Sequence, residues 1–315
     1  MATLSLSGQR AGCSTTRMKN YAIAAALCLL TASCTGVPDR NAVPAPASSL
    51  TLASWNMEHL AERDGSGCRP RTDADYAAMR DYVDAMAADV IAFQEVESKA
   101  AAERVFDPSI YTIEIEQRTG TNRKGECGGR VGLTINAQRT GFAIRKSLPF
   151  ERQPDFTAIQ VGNPDLRSGV DVIVRPTGGK PVRLLSVHLK AGCSAGDSNS
   201  ACPVLFQQAP VMETWIDSRA AEATRFAVLG DFNRRLGMPG DAIWPDWDDA
   251  SPANADLSRA SGEQSAACNP RYRDFIDFIV LDRRATATFI GFEEKSYSAA
   301  ALSDHCAVTA RLSLQ

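Results

Sequence analysis

The 315-residue sequence holds three histidines, no Cys-x-x-Cys pair and no Cys/His group at zinc spacing, so a structural zinc centre is excluded as the basis of the fold. Basic charge is not in excess. Lys and Arg number 34 against 37 Asp and Glu, for a net charge of -3 and a pI near 5.7, which excludes a globally basic nucleic-acid coat while permitting a locally basic cleft. No internal repeat is visible. The long apolar run, Tyr21 to Leu30, is too short to span a bilayer as a mature helix.

That run fits a secretory h-region, because Met18-Lys19-Asn20 precedes it and small residues follow it. Translation is therefore expected to begin at Met18, with residues 1–33 as a signal segment. The stretch LTASC ends on Cys34 and resembles a bacterial lipoprotein signal, which implies export and a lipid anchor on Cys34 at a periplasmic or outer-surface membrane. An ordinary signal peptide followed by an incidental cysteine is the alternative. Residues 34–49 are rich in Pro, Ala and Ser and suit a tether; residues 50–315 are expected to form one catalytic domain. With Cys13 and Cys28 removed and Cys34 lipidated, six cysteines are left, an even count that suits an oxidising compartment. Cys193 and Cys202 bracket a short Gly/Ser/Asn loop and are the pair closed most easily. Cys68 with Cys127 and Cys268 with Cys306 rest on the even count and their positions alone.

Apolar runs predict strands at Leu50–Trp55, Val90–Phe93, Gly132–Asn136, Phe142–Ile144, Val170–Val174, Val182–Leu189, Phe226–Leu229, Phe275–Leu281 and Cys306–Leu312. Helical spacing of Tyr76, Met79, Val83 and Met86 predicts a helix over Asp73–Ala88, capped by Thr72 or Asp73. A second helix is expected within Val204–Ser218, with Pro210 kinking or starting it. The pattern is that of an α/β fold, a layered sandwich of two mixed β-sheets flanked by helices.

Polar residues stand where the apolar runs stop. Asn56 follows the first strand, Glu95 the second, and His188 closes another; VLGDFNRR supplies Asp231 and Asn233, FIDFIV supplies Asp277, and SDH supplies Asp304 and His305. In an extended segment positions i and i+2 share a face, so Asp231 and Asn233 would aim at one spot. Each residue alone has an ordinary structural reading. Asn56, or Asp231 with Asn233, could make a turn; Glu95 could be a solvated strand end, and His188 or His59 a structural histidine. Asp277, flanked by Phe275, Ile276, Phe278 and Ile279, needs a partner if buried.

Taken in order, WN, QE, H, GDFN, the Asp of FIDFIV and SDH resemble the signature of the endonuclease/exonuclease/phosphatase superfamily of metal-dependent phosphoesterases, over about Leu50 to Leu314. The resemblance implies that Glu95, Asn56 and Asp304 form the region of a Mg²⁺ or Mn²⁺ ion. It also implies that Asp231 and Asn233 hold and activate the attacking water or share a second metal, that His188 bonds the scissile phosphate or the leaving group, and that His305, oriented by Asp277, stabilises developing charge. Asp231 is favoured over His305 as the general base. Hard oxygen ligands suit such a cation. One departure is that no carboxylate partner for His188 is recognisable, although Glu126 and Arg130 lie in a suitable region. A long helical insertion for gripping duplex DNA is also missing. Basic residues cluster near the motifs (Arg123, Lys124, Arg130, Arg167, Arg234, Arg235, Arg271 and Arg273); such charges ordinarily read as solvated surface, and Arg234 and Arg235, directly after GDFN, are the best placed to meet substrate phosphate. The implied protein is a divalent-metal-dependent phosphodiester hydrolase, an endonuclease acting as a monomer on nucleic acid. The alternatives are a phosphodiesterase or phosphatase on a lipid head group or small phosphate ester, and a catalytically silent binding domain.

Overall fold

The computed structural model describes residues 49–118, 125–253, 255–297 and 302–314. The expected signal segment, Cys34, the expected tether up to Ser48, and Arg123 with Lys124 lie outside the described residues. Chain order begins β1 (Ser49–Leu60), α1 (Asp73–Met86), β2 (Val90–Val96), α2 (Lys99–Glu103) and β3 (Tyr111–Ile115). A small hairpin of β4 (Glu126–Cys127) and β5 (Arg130–Thr134) precedes β6 (Arg139–Arg145) and β7 (Phe150–Arg152). Then come β8 (Val170–Val174), β9 (Val182–His188), α3 (Cys202–Ala221), β10 (Phe226–Asp231), α4 (Trp244–Trp247) and β11 (Leu257–Arg259). The chain closes with β12 (Asp277–Asp282), α5 (Arg283–Thr286), β13 (Phe289–Lys295) and β14 (Ala307–Ser313).

The strands form two six-stranded mixed sheets, β13-β14-β1-β2-β6-β3 and β11-β12-β10-β9-β8-β7, the layered α/β sandwich expected. Each sheet is built on a parallel pair joined by a helical crossover, β1-α1-β2 and β9-α3-β10. Antiparallel strands flank each pair, β14 and β6 in one sheet, β12 and β8 in the other. This topology places the site. The carboxyl ends of the parallel strands and the starts of β12 and β14 fall at one edge of the sandwich, where open α/β sheets bind ligands.

Alternation along the strands builds two layers of core. Leu50 and Leu52 of β1 and Val90 and Ala92 of β2 meet Val170, Val172, Val182 and Leu184 of the facing sheet. Ala53, Trp55 and Met57 point outward and pack under Tyr76, Met79, Val83 and Met86 of α1. Thr72 and Asp75 form a capping box at the start of α1. Each fully buried side chain of that stripe is worth about 1.5–3 kcal/mol, so packing outweighs the ~1 kcal/mol of the cap in fixing the helix.

The second helix is longer than expected and Pro210 does not start it. Its start is marked by Pro203 in the first turn, and Pro210 lies inside the helix. Burial of Leu205, Met212, Trp215 and Ile216 outweighs the hydrogen bond that the proline cannot make. Three disulfides join Cys68 to Cys127, Cys193 to Cys202 and Cys268 to Cys306, with Cα separations of 5.4, 5.0 and 6.3 Å. Among the described residues no helix is long and apolar enough to cross a membrane.

Candidate active site

Left-handed backbone turns aim the side chains at the shared edge. In β1 the register against β2 shifts between Asn56 and Leu60, where Glu58 and His59 have φ of 41° and 54°. In β2 the register against β6 shifts between Phe93 and Val96, and Glu95 has φ of 60°. Strict alternation would put Glu95 on the face of Phe93, beneath α1; the local turn re-aims it toward the other sheet. Such residues cost on the order of 1–3 kcal/mol each and persist where the surroundings fix them. Gly230, just before Asp231, meets a different demand: a Cβ there would lie 2.0 Å from the carbonyl oxygen of Val187 on β9.

Two bonds close the edge across the sandwich. Asn56 Nδ2 donates to Asp231 Oδ2 at 3.0 Å, and His305 Nδ1 lies 2.6 Å from Asp277 Oδ2. On the strand flanking Asp231 opposite Asp277 is His188, whose Nε2 is 3.5 Å from Asp231 Oδ2 and 3.8 Å from Glu95 Oε1. The other ring nitrogen of His305, Nε2, is 3.9 Å from Asp231 Oδ2 and 3.8 Å from Asp304 Oδ1. The pairings follow from sheet register, since Asp231 stands opposite both His188 and Asp277.

The turn readings of Asn56 and of Asp231 with Asn233 hold together with the site geometry. Asn56 Oδ1 accepts from the Glu58 backbone N–H at 3.0 Å, and Asp231 Oδ1 accepts from the Asn233 N–H at 2.8 Å. Because β10 ends at Asp231 and Asn233 has φ of 51°, strand alternation is not what brings these two together. Asn233 Nδ2 instead donates to the Leu189 carbonyl at 3.2 Å. The His305 segment is sewn onto β1. Its carbonyl accepts from Trp55 Nε1 at 3.2 Å and from the Tyr297 hydroxyl; its N–H donates to Ser303 Oγ at 3.1 Å, whose hydroxyl donates to the Asn56 carbonyl at 2.7 Å.

Burial and charge set different protonation states within this cluster. Burial first, and the Asp277 carboxylate second, push Asp231 up to about 7, against the pull of His305, the Asn233 N–H and Asn56. Burial also drives His188 well below the ordinary imidazole value, with the Arg167 guanidinium adding to the effect. For His305 burial acts in the same direction, but Asp277, Asp231 and Asp304 outweigh it and hold the ring well above that value. Near neutral pH His188 is uncharged and His305 is an imidazolium.

Glu58, His59, Glu95 and Asp304 line a cavity of about 280 Å³ beside this cluster. Its three carboxylates are hard oxygen donors and fit a small divalent cation. Asn56 stands behind them with both polar side-chain atoms engaged. Asp231, Asp277 and His305 also gather ligand-type atoms within 4.8 Å, but Nδ1 of His305 is already held by Asp277, which suits an orienting pair better than a metal cage. Sequence reasoning missed Glu58, which receives Arg69 Nη1 at 3.2 Å and the Asp304 N–H at 2.9 Å. It also set His59 aside, yet His59 Nε2 lies 3.6 Å from Glu95 Oε2. The carboxylates beside His188 are Glu95 and Asp231 rather than Glu126, which is exposed on β4. Arg167, grouped by sequence with surface charges, is buried and donates to the Leu189 carbonyl at 3.0 Å.

The two adjacent arginines separate. Arg234 is 2% exposed, pairs with Asp241 at 2.8 Å and donates to the carbonyls of Cys193 and Gly196, so the structure does not bring it to the site. Arg235 is partly exposed, lies 3.3 Å from Asp274 and lines the same cavity as Asn233, Asp277 and His305.

The model of the endonuclease/exonuclease/phosphatase family matches residues 53–305, and the chain belongs to that family. No curated protein matches the sequence. Among solved structures, a humanized D. rerio TDP2 carrying 14 mutations is 16% identical, with 84% of this chain and 99% of that chain covered at a TM-score of 0.58. The human Nocturnin catalytic domain with bound sulfate is 12% identical, with coverage of 86% and 94% and a TM-score of 0.58. A D. rerio TDP2 complexed with a single strand DNA product is 17% identical, with coverage of 84% and 99% and a TM-score of 0.55. At these identities the likeness is one of fold.

Proposed function

We propose that this member of the endonuclease/exonuclease/phosphatase family is a divalent-metal-dependent phosphodiester hydrolase that cleaves nucleic acid internally, acting as a monomer. The observation that carries the reading is the convergence on Asp231 Oδ2: Asn56 Nδ2 lies 3.0 Å from it, His188 Nε2 3.5 Å and Nε2 of His305, whose Nδ1 is held by Asp277, 3.9 Å, with burial pushing the His188 ring down and Asp277 holding the His305 ring up. A phosphodiester is already anionic, so attack on it requires a positioned base, neutralised charge and help for the leaving oxygen. Bound Mg²⁺ or Mn²⁺ supplies charge neutralisation at the phosphate, and Glu95 and Asp304, with Glu58 beside them, would hold it. Asp231 accepts the proton of the attacking water, its carboxylate fixed by Asn56 and the Asn233 N–H. His188 donates from Nε2 to a non-bridging phosphate oxygen. His305, held by Asp277, presents positive charge to the oxygen that departs.

Nucleic acid is favoured as substrate by a structural neighbour that holds a single strand DNA product and by Arg235 at the rim. Export and lipidation at Cys34 belong to the same proposal and rest on the sequence of residues 18–34. A substrate panel tests the activity: plasmid DNA, RNA, sphingomyelin, bis-p-nitrophenyl phosphate and phosphomonoesters, each with and without EDTA. Plasmid cleavage that stops with chelator and fails in Glu95→Ala is expected. Turnover confined to a lipid or a monoester would end the nuclease part, and no turnover of any ester would end the enzyme reading. Membrane fractionation of wild type and Cys34→Ala tests the anchor, which a wholly soluble wild-type chain would refute.

A further inference from the structure

The cavity on the His305 side of the site, about 310 Å³, extends away from the reacting cluster beneath the loop that runs from Ala266 to Phe275. Its volume falls at the lower end of small-ligand pockets, roughly 300–1,000 Å³. Asp277 and His305 are part of its lining, so a group bonded to a phosphate at His305 would reach into it. Tyr272 and Phe275 line it with aromatic surface, while Asn233, Asn269 and Asp274 contribute donors and acceptors. Flat apolar surface bordered by hydrogen-bonding groups matches a purine or pyrimidine, which has an apolar face and a polar edge.

The loop is built to hold this shape. The Cys268–Cys306 disulfide ties it to the residue after His305. One oxygen of Glu294 on β13 accepts from the Ala267 and Cys268 N–H groups at 2.7 and 3.0 Å. Within the loop Ala266 N–H donates to the Arg273 carbonyl at 2.9 Å, and Arg271 N–H donates to Asn269 Oδ1 at 3.1 Å. Tyr272 nevertheless remains 49% exposed, between Arg271 and Arg273. The Arg271 guanidinium lies over the Tyr272 ring at 5.6 Å. An exposed aromatic ring beside a guanidinium is the kind of arrangement by which single strands are gripped, bases on aromatic faces and phosphates on basic side chains.

We infer that the Ala266–Phe275 loop is a nucleobase subsite, with Tyr272 stacking the base next to the scissile phosphate and Arg271 and Arg235 meeting neighbouring phosphates. This rests on the phosphodiesterase reading above for the position of the phosphate, and it specifies what that phosphate carries. Equilibrium binding separates the two claims, because it does not need turnover. Adenosine 5′-monophosphate and ribose 5-phosphate are titrated calorimetrically into the mature protein in Mg²⁺ buffer. The nucleotide is expected to bind tighter than the base-free sugar phosphate by between roughly five-fold and a hundred-fold, the range of base–aromatic stacking. Tyr272→Ala should abolish the difference and Tyr272→Phe should retain it; because the residue is half-exposed, both variants should fold. Equal binding of the two compounds by wild type, binding of neither, or a difference that survives Tyr272→Ala would overturn the subsite. A nucleotide preference without plasmid cleavage would keep the subsite and end the nuclease reading, whereas plasmid cleavage without a nucleotide preference would do the reverse.

Discussion

The His305 corner and the His188 corner of the site face one carboxylate and respond to it in opposite ways. Both rings point Nε2 at Asp231 Oδ2, from 3.9 and 3.5 Å. His305 has its other nitrogen on Asp277 and is held charged, whereas Nδ1 of His188 meets no partner among the described residues, and burial keeps that ring neutral. The construction differs as well. His188 ends β9 and is fixed by the pairing of that strand with β10, while His305 lies on a loop fixed by Ser303, Trp55 and Tyr297. The difference lies in the surroundings of each ring: Asp277 behind His305, with Asp231 and Asp304, outweighs its burial, whereas burial and the Arg167 guanidinium prevail at His188.

The largest effect should come from breaking the His305 corner. His305→Ala is expected to lower kcat/KM on plasmid or on bis-p-nitrophenyl phosphate by ~10³–10⁴-fold, and Asp277→Asn by ~10²-fold or more, since it removes the charge that holds and orients the ring. A value for Asp277→Asn within two-fold of wild type would mean that the pair contributes nothing to the reaction.

Next in size is a contrast between neighbours that sequence treated alike. Arg234 is buried in an ion pair with Asp241, so Arg234→Ala leaves that carboxylate without its charged partner, held only by the Gly237, Ile243 and Trp244 N–H groups, and should cost ~3–5 kcal/mol of stability in urea titration. Arg235→Ala should leave the urea midpoint in place, weaken binding of nucleic acid and flatten its salt dependence. An equal loss of stability in both variants would dissolve the distinction.

These two arginines mark how far the sequence was legible. Apolar runs mark the strands, so the sandwich, the polar residues near the strand ends and the Cys193–Cys202 pair could be read from pattern and position, although β1 and β2 run on past Asn56 and Glu95, and the other two cysteine pairs rested only on the even count and their positions. Direction could not. Glu95, Glu58 and His59 owe their aim to left-handed backbone positions that no side-chain pattern announces, and Arg234 and Arg235 are split by a contact with Asp241 that only the fold creates. Arg167 is the same case: an arginine reads as surface until its loop is seen pinned by Ser168, whose N–H and hydroxyl both donate to the buried Glu116 carboxylate at 2.7 Å.

Breaking the His188 corner should cost less than breaking the His305 corner. His188→Gln removes one hydrogen bond to the phosphate, and a loss of ~10²-fold in kcat is expected. The sharper measurement is melting temperature at pH 5.5 and pH 8 for His188→Asn and His305→Asn. A ring raised above its unfolded value contributes stability that is full below about 6.5 and is lost as pH rises through the folded value. A depressed ring contributes stability above about 6.5 that is lost as pH falls. His305→Asn should therefore lose more ground to wild type at pH 5.5, and His188→Asn should lose more at pH 8. Slopes of the same sign in both variants would remove the charge difference between the corners.

The smallest effect checks whether the same physics operates away from the site. Glu213 on α3 is pushed up to about 8 by burial first and then by Asp217, Asp246 and Asp249, so it resembles Asp231 in cause. Unlike Asp231 it is partly exposed, and Asp217 lies one helical turn further along α3, a spacing at which like charges repel. A carboxyl group with a raised folded value contributes stability below its unfolded value, near 4.5, and loses it as pH rises through about 8. Glu213→Gln deletes the charge that accumulates over that interval. The variant should match wild type at pH 5 and melt higher at pH 8.5, by roughly 1–3 °C for a domain of this size. A gain that is equal at both pH values would point to packing instead of charge, and a gain larger at pH 5 would reverse the sign of the argument.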